Sequence, residues 1–440
     1  MRRYVIVGTG AAAIAAAEAI RSHDPTSHIA LLSEEPQGYY SRPGLAYFLT
    51  GEINERQLYP FSERDFKQLG FRPMVAPAAR IHPGEHRLEL CDGRFLRYDR
   101  LLIATGSSAV RSKAPGEDLK GVVKLDNMGD AHEILDLARR RLPAVVVGGG
   151  ITALEIVEGL VARKVKTHYF LRKDRYWHNI LDEIESRIVE ERLREHGVSL
   201  HFHTELAEIL GQHGRVVGVR TQDGRTVPCG MVAIAIGVRP RTELAASSGL
   251  EIDRGILVDE YLETSQADIF AAGDVAQVYD PFTGKSIVDT LWGPARGQGT
   301  VAGMNMTGLR APYVKPIAFN VTRLAGLTTT IIGMVGRGDD DDLVSIARGD
   351  SETWRQLPDA IIAQDNFEVN RLRLLIGART LLGAIVMGDQ TLSRPIQELV
   401  AQQADITPIR SRLTAPGANI ADLIVDFWTH WRRFRVPEHA

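Results

Sequence analysis

Two short stretches of this chain carry glycines at the spacing that lets a backbone close around a phosphate. The first is Gly8-Thr9-Gly10-Ala11-Ala12-Ala13, after the apolar run from Tyr4, and the second is Gly148-Gly149-Gly150-Ile151-Thr152-Ala153, after the apolar run that follows Pro143. In a Gly-x-Gly-x-x-Ala turn the first glycine allows a tight exit from a strand. The second lets backbone approach a pyrophosphate, and the small third residue keeps the next helix packed on the strand. The helix N-terminus then offers unpaired N–H groups and partial positive charge to the phosphates. Gly8, Gly10 and Ala13, and again Gly148, Gly150 and Ala153, are therefore candidate dinucleotide ligands. One copy is weak evidence, because such turns also occur without a ligand. Two copies argue for two dinucleotides on one chain. The first stretch, with Arg2 and Arg3 before an apolar run, has a competing reading as a secretory leader; the repeat decides for the turn.

Charges beyond each turn refine the expectation. "SHIALLSEEP" reads as a strand ending just before Ser33 and Glu34, and a carboxylate about 20 residues past such a turn holds ribose hydroxyls. Glu34 is the candidate, while Glu35 reads as a solvated loop residue. In the second copy, "VKTHYFLRKDRYW", Leu171 stands where that acid would be, followed by Arg172, Lys173, Asp174 and Arg175. Cations suit a 2′-phosphate, so Arg172 and Arg175 favour NADPH over NADH, with Asp174 as the alternative ribose acid. A bound flavin dinucleotide and a transient nicotinamide dinucleotide with stacked rings permit direct hydride transfer, which gives one chain a reason to carry both turns.

With 440 residues, 44% hydrophobic and 24% charged, the chain has room for two or three cores. A net charge of −3 gives no footprint for nucleic acid, and no apolar run is long enough to span a bilayer. Cys91 and Cys229 are the only cysteines, and nothing has a metal-ligand spacing. No disulfide framework, no metal and a cytoplasmic location are expected. His201 and His203 alternate along "SLHFHTEL" and so face one side of a strand, without a third ligand nearby. The acidic run over 336–344 lacks the spacing of a calcium loop.

Four motifs in order give the chain a family resemblance: the first turn, "YDRLLIATGSSAV", the second turn with Glu155, and "TSQADIFAAGDVAQ". Together they resemble the pyridine nucleotide-disulfide oxidoreductase superfamily, in the branch without a redox disulfide. Rubredoxin and ferredoxin reductases, NADH oxidase-like proteins and the flavin module of nitrite reductase belong to it. The resemblance implies that the first turn binds FAD and that Thr105 and Gly106 mark the junction between the two dinucleotide domains. It also implies that Glu155 faces the nicotinamide and that Gly273 and Asp274 hold the ribityl chain of FAD. "LWGPARGQGTVAGMNMTG" is similar to the helix whose N-terminus sits under the flavin, with Arg296 and Gln298 in its first turn. In "GYYSRPGLAYFLTGEI" the resemblance places Arg42 near the flavin or its pyrophosphate, and Tyr47 stands where several relatives have a Lys. That stretch holds no Cys, which removes a thiol relay.

The expected architecture is α/β: two doubly wound dinucleotide-binding domains with mostly parallel sheets, plus a small α+β C-terminal domain. The FAD domain is expected at 1–121 and 240–311, the NAD(P) domain at 122–239 and the C-terminal domain at 312–440. In the last, "RLRLLIGARTLLGAIVMGDQ" reads as two strands, followed by a helix from about Ser393. A terminal amphipathic helix carries Leu423, Ile424, Phe427, Trp428, Trp431 and Phe434 on one stripe, with Arg432, Arg433 and Arg435 close by. Packing on its own domain or on a sister subunit is favoured over a membrane surface. The function expected is an FAD flavoprotein that takes hydride from NAD(P)H and passes electrons to a carrier protein such as rubredoxin or ferredoxin. Glu155 and Arg42 are its catalytic candidates. The alternatives are an NAD(P)H oxidase, a quinone reductase, or an FAD-binding regulatory or structural subunit of a larger redox complex.

Overall fold

The computed structural model describes residues 1–335, 371–415 and 418–434. The acidic run over 336–344 and Arg435 lie outside the described residues. By its contacts the chain divides into two units. The first holds Met1–Trp177 and Glu190–Lys315, and the second holds His178–Val189 with the described residues from Pro316 onward. Both glycine turns thus fall in one unit, and a segment expected within the 122–239 domain counts with the C-terminal residues.

In the first unit, five parallel strands lie in the spatial order Ile269–Ala271, Arg100–Ile103, Arg3–Val7, His28–Ser33, Phe71–Val75. A second parallel sheet has the order Ser199–His201, Thr167–Phe170, Ala144–Val147, Met231–Ile234, Val122–Val123. In each sheet the strand leading to the glycine turn is central and the chain order reverses beside it. That reversal opens a crevice at the carboxyl ends of the strands. Both central strands are apolar and almost fully buried, as a sheet covered on both faces requires.

Helix α1 (Ala11–His23) follows the first turn, α2 (Leu45–Thr50) lies further along the same half, and α3 (Met128–Ala138) precedes the second turn. Helix α4 (Ile151–Ala162) follows the second turn, and α5 (Glu183–Glu195) comes after its second strand. Helix α6 (Trp292–Thr307) packs along α1 at very short range. A Cβ on Gly299 would collide with the carbonyl of Ala12, and one on Gly303 would lie 2.5 Å from that of Ala16. The alanines of α1 and the glycines of α6 are small because the two helices touch backbone to backbone.

The chain leaves the first sheet through Ser107–Ala109 and returns through Val238–Pro240, and these two segments pair antiparallel. Thr105 Oγ1 donates to the Arg241 carbonyl at 2.9 Å, and Arg241 N–H donates to the Gly106 carbonyl at 2.9 Å.

The second unit contains a four-stranded antiparallel sheet in the order Phe319–Leu324, Leu327–Gly333, Leu381–Met387, Arg371–Ile376. Helices α7 (Ser393–Ala401), α8 (Thr407–Leu413) and α9 (Ile420–Arg433) close its core. The strand pair and the helix start at Ser393 are as the sequence pattern predicts. Leu423, Ile424, Phe427, Trp428 and Trp431 of α9 pack into this core, and Trp428 Nε1 donates to Glu398 at 2.9 Å. Phe434 stays 89% exposed. In the same unit Arg371 pairs with Asp182 at 2.7 Å, and Arg373 pairs with the fully buried Glu185 at 2.8 Å. These bonds fix His178–Val189 to the sheet.

Candidate functional site

The two turns have the same local geometry. Gly8 has φ +126° and Gly148 φ +148°, in the region that strains any L side chain. A Cβ on Gly8 would strike the carbonyl of Ala104, and one on Gly148 would strike that of Ala235. Each of those residues follows a strand that pairs directly with the central one, Arg100–Ile103 in the first sheet and Met231–Ile234 in the second. By contrast, a Cβ on Gly10 or Gly150 would meet nothing within 4 Å. In both turns the fold closes in the first glycine, whereas Gly10 and Gly150 face open space at a helix N-terminus. Ala13 and Ala153 are fully buried where each helix rests on its sheet. This combination fits a pyrophosphate at both turns.

Around the first turn lie polar atoms that the fold itself leaves over. Asp274 accepts a 2.7 Å hydrogen bond from Ser107 Oγ, and Gly273, with φ +80°, donates its N–H to Gln298 Oε1 at 2.8 Å. The other end of that amide, Gln298 Nε2, is buried without a partner of normal hydrogen-bond geometry, as are Thr290 Oγ1 and the Tyr313 hydroxyl. Burial pushes the Tyr313 phenol up. It also pushes the Asp289 carboxyl up, against the pull of Lys315 at 3.7 Å. The Tyr313 hydroxyl lies within reach of Gln298, but buried polar atoms whose hydrogen bonds are poorly met are costly in a finished fold. Their gathering beside Asp274 and the open Gly106, where a Cβ would meet nothing within 4 Å, fits a polyhydroxylated, anionic group such as FAD.

Other sequence candidates take different places. The Glu34 side chain is 69% exposed and lies 3.8 Å from Arg241. Glu35, read from sequence as solvated, is instead the better held of the two. It accepts from Arg42 and from the Tyr40 hydroxyl, and Arg42 also donates to the Asp126 carbonyl and lies over the Tyr40 ring. Met128 N–H, at the start of α3, donates to the Tyr40 hydroxyl at 3.0 Å. Asp126 is buried, accepts from Ala109 N–H at 2.8 Å and pairs with Lys124 at 2.9 Å. Arg42 thus joins the loop after the second strand to the start of α3. Arg296 turns toward α1, pairing with Glu18 at 3.2 Å and lying over Trp292. Gln298, close by in sequence, points instead to Gly273.

At the second turn Glu155 is half-buried on α4, and Leu171 is buried just past the strand end. Arg172 is exposed, and Arg175 pairs with Asp174 at 2.9 Å, which offsets one of the cations in that run. The strand at 199 ends at His201, where Nε2 meets His168 Nδ1 at 3.1 Å. His203 follows in a left-handed turn at φ +47°, so the two histidines do not share a strand face. Among the described residues no group of three His, Cys, Asp or Glu could hold a metal. Cys91 is exposed, and burial raises the Cys229 thiol to about 12, so Cys229 is no thiolate near neutral pH. Sequence reasoning missed Ser107, Thr290 and Tyr313. Only Ser107, inside "ATGSS", carried a signal that could have been read.

A family model described as pyridine nucleotide-disulphide oxidoreductase matches residues 2–299. The chain belongs to that family. It is an NAD(P)H-dependent oxidoreductase with the two-dinucleotide α/β fold, and FAD is the resident cofactor that the family supports. Rhodocoxin reductase of Rhodococcus erythropolis is 32% identical over 64% of this chain and 66% of its own length. Rubredoxin-NAD(+) reductase of Ectopseudomonas oleovorans is 29% identical over 64% of this chain and 74% of its own. The NADH-dependent phenylglyoxylate dehydrogenase subunit epsilon of Aromatoleum evansii is 27% identical over 94% of both chains. Among solved structures, a ferredoxin reductase from Rhodopseudomonas palustris superposes with TM-score 0.81 at 21% identity, covering 96% of this chain and 99% of that one.

Proposed function

We propose that the chain takes hydride from a nicotinamide nucleotide bound at the second turn, at an FAD held by the first turn, and passes the electrons to a small carrier protein such as a rubredoxin or a ferredoxin. The observation that carries this reading is the pair of turns with matching closed and open glycines in one compact unit. When bound, FAD supplies the conversion from two-electron to one-electron transfer. Gly8, Gly10 and Ala13 shape the phosphate cradle, Asp274 with Ser107 and Gln298 holds the polyol side, and Glu34 is the candidate for the ribose. Arg42, tied between Glu35 and Asp126, acts by position. Gly148, Gly150 and Ala153 cradle the nucleotide, and Glu155 orients its nicotinamide end. No cysteine stands in 39–54, so electrons leave without a thiol relay. The names of the relatives rubredoxin-NAD(+) reductase and rhodocoxin reductase support a carrier as acceptor.

The preference for NADPH expected from Arg172 and Arg175 finds no support in the relatives, of which the phenylglyoxylate dehydrogenase subunit and the rubredoxin reductase are named for NADH and NAD(+). The Asp174–Arg175 pair weakens it further, so the donor is stated as NAD(P)H. One observation favours a second reading: the relative that matches 94% of both chains is a subunit of a larger dehydrogenase. In that case the acceptor is a partner subunit rather than a diffusing carrier.

Anaerobic stopped-flow absorbance with NADH and NADPH in separate runs, then with added rubredoxin or ferredoxin, tests both readings. Fast bleaching and fast reoxidation by a carrier support the first. Bleaching without reoxidation by either carrier moves the assignment to the subunit. A bound flavin that neither nucleotide bleaches sinks the enzyme.

A further inference from the structure

Hydride transfer needs the two reacting atoms at about 3–3.5 Å, and a misplacement of about 1 Å costs about a hundredfold in rate. In the first unit the two turns belong to separate sheets, so their spacing depends on what joins the halves. One junction bears on the helix that leaves the second turn. Helix α4 starts at its N-cap Gly150, and near its other end Gly159 faces α2, where an added Cβ would stand 2.7 Å from Leu49 Cβ. Just past the helix, its C-cap Arg163 donates from Nε to the Leu49 carbonyl at 2.9 Å and from Nη2 to the Phe48 carbonyl at 3.2 Å. These are carbonyls at the end of α2, where Gly51 takes the left-handed conformation at φ +87°. Over its 12 residues α4 is a rigid rod of about 18 Å, so a shift at Gly159 is passed to the turn at Gly150.

We infer that Gly159 and Arg163 are positioning residues: seating α4 on α2 sets the separation of nicotinamide and flavin, without either residue touching a cofactor. This rests on the two-dinucleotide reading above. Arg163 contributes two charge-assisted hydrogen bonds to the end of α2, and Gly159 sets how closely the helices approach.

The test compares Arg163→Met, Arg163→Lys and Gly159→Ala with the wild type. It follows flavin reduction at rising NADH concentration, FAD content, equilibrium nucleotide affinity, and the long-wavelength absorbance when NAD(+) is added to dithionite-reduced protein. That absorbance reports stacking of the two rings rather than turnover. The Met and Ala variants should lower the limiting rate roughly ten- to a hundredfold and diminish the stacking band, with FAD content and nucleotide affinity at the wild-type level. Arg163→Lys, which keeps the cation, should recover part of the rate. A limiting rate and stacking band at the wild-type level in Arg163→Met overturn the inference. So does a loss of rate that only tracks lost FAD. If Gly159→Ala does not fold, the Met and Lys pair decides. A wild type that no nucleotide bleaches is a different failure, that of the proposed function itself.

Discussion

Asp274 reaches its place through a bond that no spacing rule announces, the 2.7 Å contact from Ser107 across the crossing between the halves. Ser107→Ala should weaken FAD binding roughly tenfold or more, because a hydrogen bond to a charged group contributes about 1.5–3 kcal/mol. Titration of the apoprotein with FAD by fluorescence measures it, with the fold unchanged by circular dichroism. If Arg172 receives a 2′-phosphate, Arg172→Ala should raise the KM for NADPH about tenfold and leave that for NADH alone. Equal effects on both would return Arg172 to the solvent. At the surface, Arg3 holds the Asp99 carboxyl down at about 2. A lowered folded pKa contributes stability that is full above the ordinary carboxylate value of about 3.9 and fades as pH falls through the lowered one. Both side chains are over a third exposed, so the contribution is about 0–1 kcal/mol. The Tm gap between wild type and Asp99→Asn should therefore be small near neutral pH and close between about pH 4 and pH 2. The glycines of both turns were legible because a turn is local. Glu35 was not, because its partners Arg42 and Tyr40 belong to a network that also involves Asp126 and Met128, far along the chain.

Helices α1 and α6 show why small residues mark a close approach. Gly303→Val would push side-chain atoms into the backbone of Ala16. Overpacking of this kind costs about 1–3 kcal/mol, and the variant should melt several degrees lower and lose FAD more readily. Calorimetry alongside flavin absorbance would show both, and an unchanged Tm would mean that the helices part without penalty. The Ala-rich run of α1 and the glycines of α6 could be read separately from the sequence, but not that they face one another. Element boundaries were clear in Arg371–Ile376, where charged and apolar residues alternate at the start, and in the apolar run Leu381–Met387. They failed at His203, where a left-handed turn ends the strand pattern. The side to which a helix residue turns was hidden as well: Arg296 pairs with Glu18, which lies 278 positions away in the chain.

At the scale of the molecule, composition and motif order foretold two dinucleotide halves and a C-terminal unit. They did not foretell that His178–Val189 would count with the latter, since only the tertiary pairing of Arg371 and Arg373 with Asp182 and Glu185 shows it. Removing one partner of a buried pair leaves a charge with poor compensation. Arg373→Met should therefore destabilise the second unit by roughly 3 kcal/mol. Urea unfolding followed by Trp fluorescence, read through Trp428 and Trp431 of α9, would report it as a lower midpoint; no shift would mean that Arg371 alone suffices. The paired crossing has a different kind of consequence. Because Ala109 lies opposite Val238 in one antiparallel ladder, the ends of the whole intervening module sit about one strand spacing apart. A two-residue hairpin could close that gap. A gene could gain or shed the second module at this point without rethreading the first sheet, which is the signature that duplication of a unit and its insertion into a surface hairpin would leave.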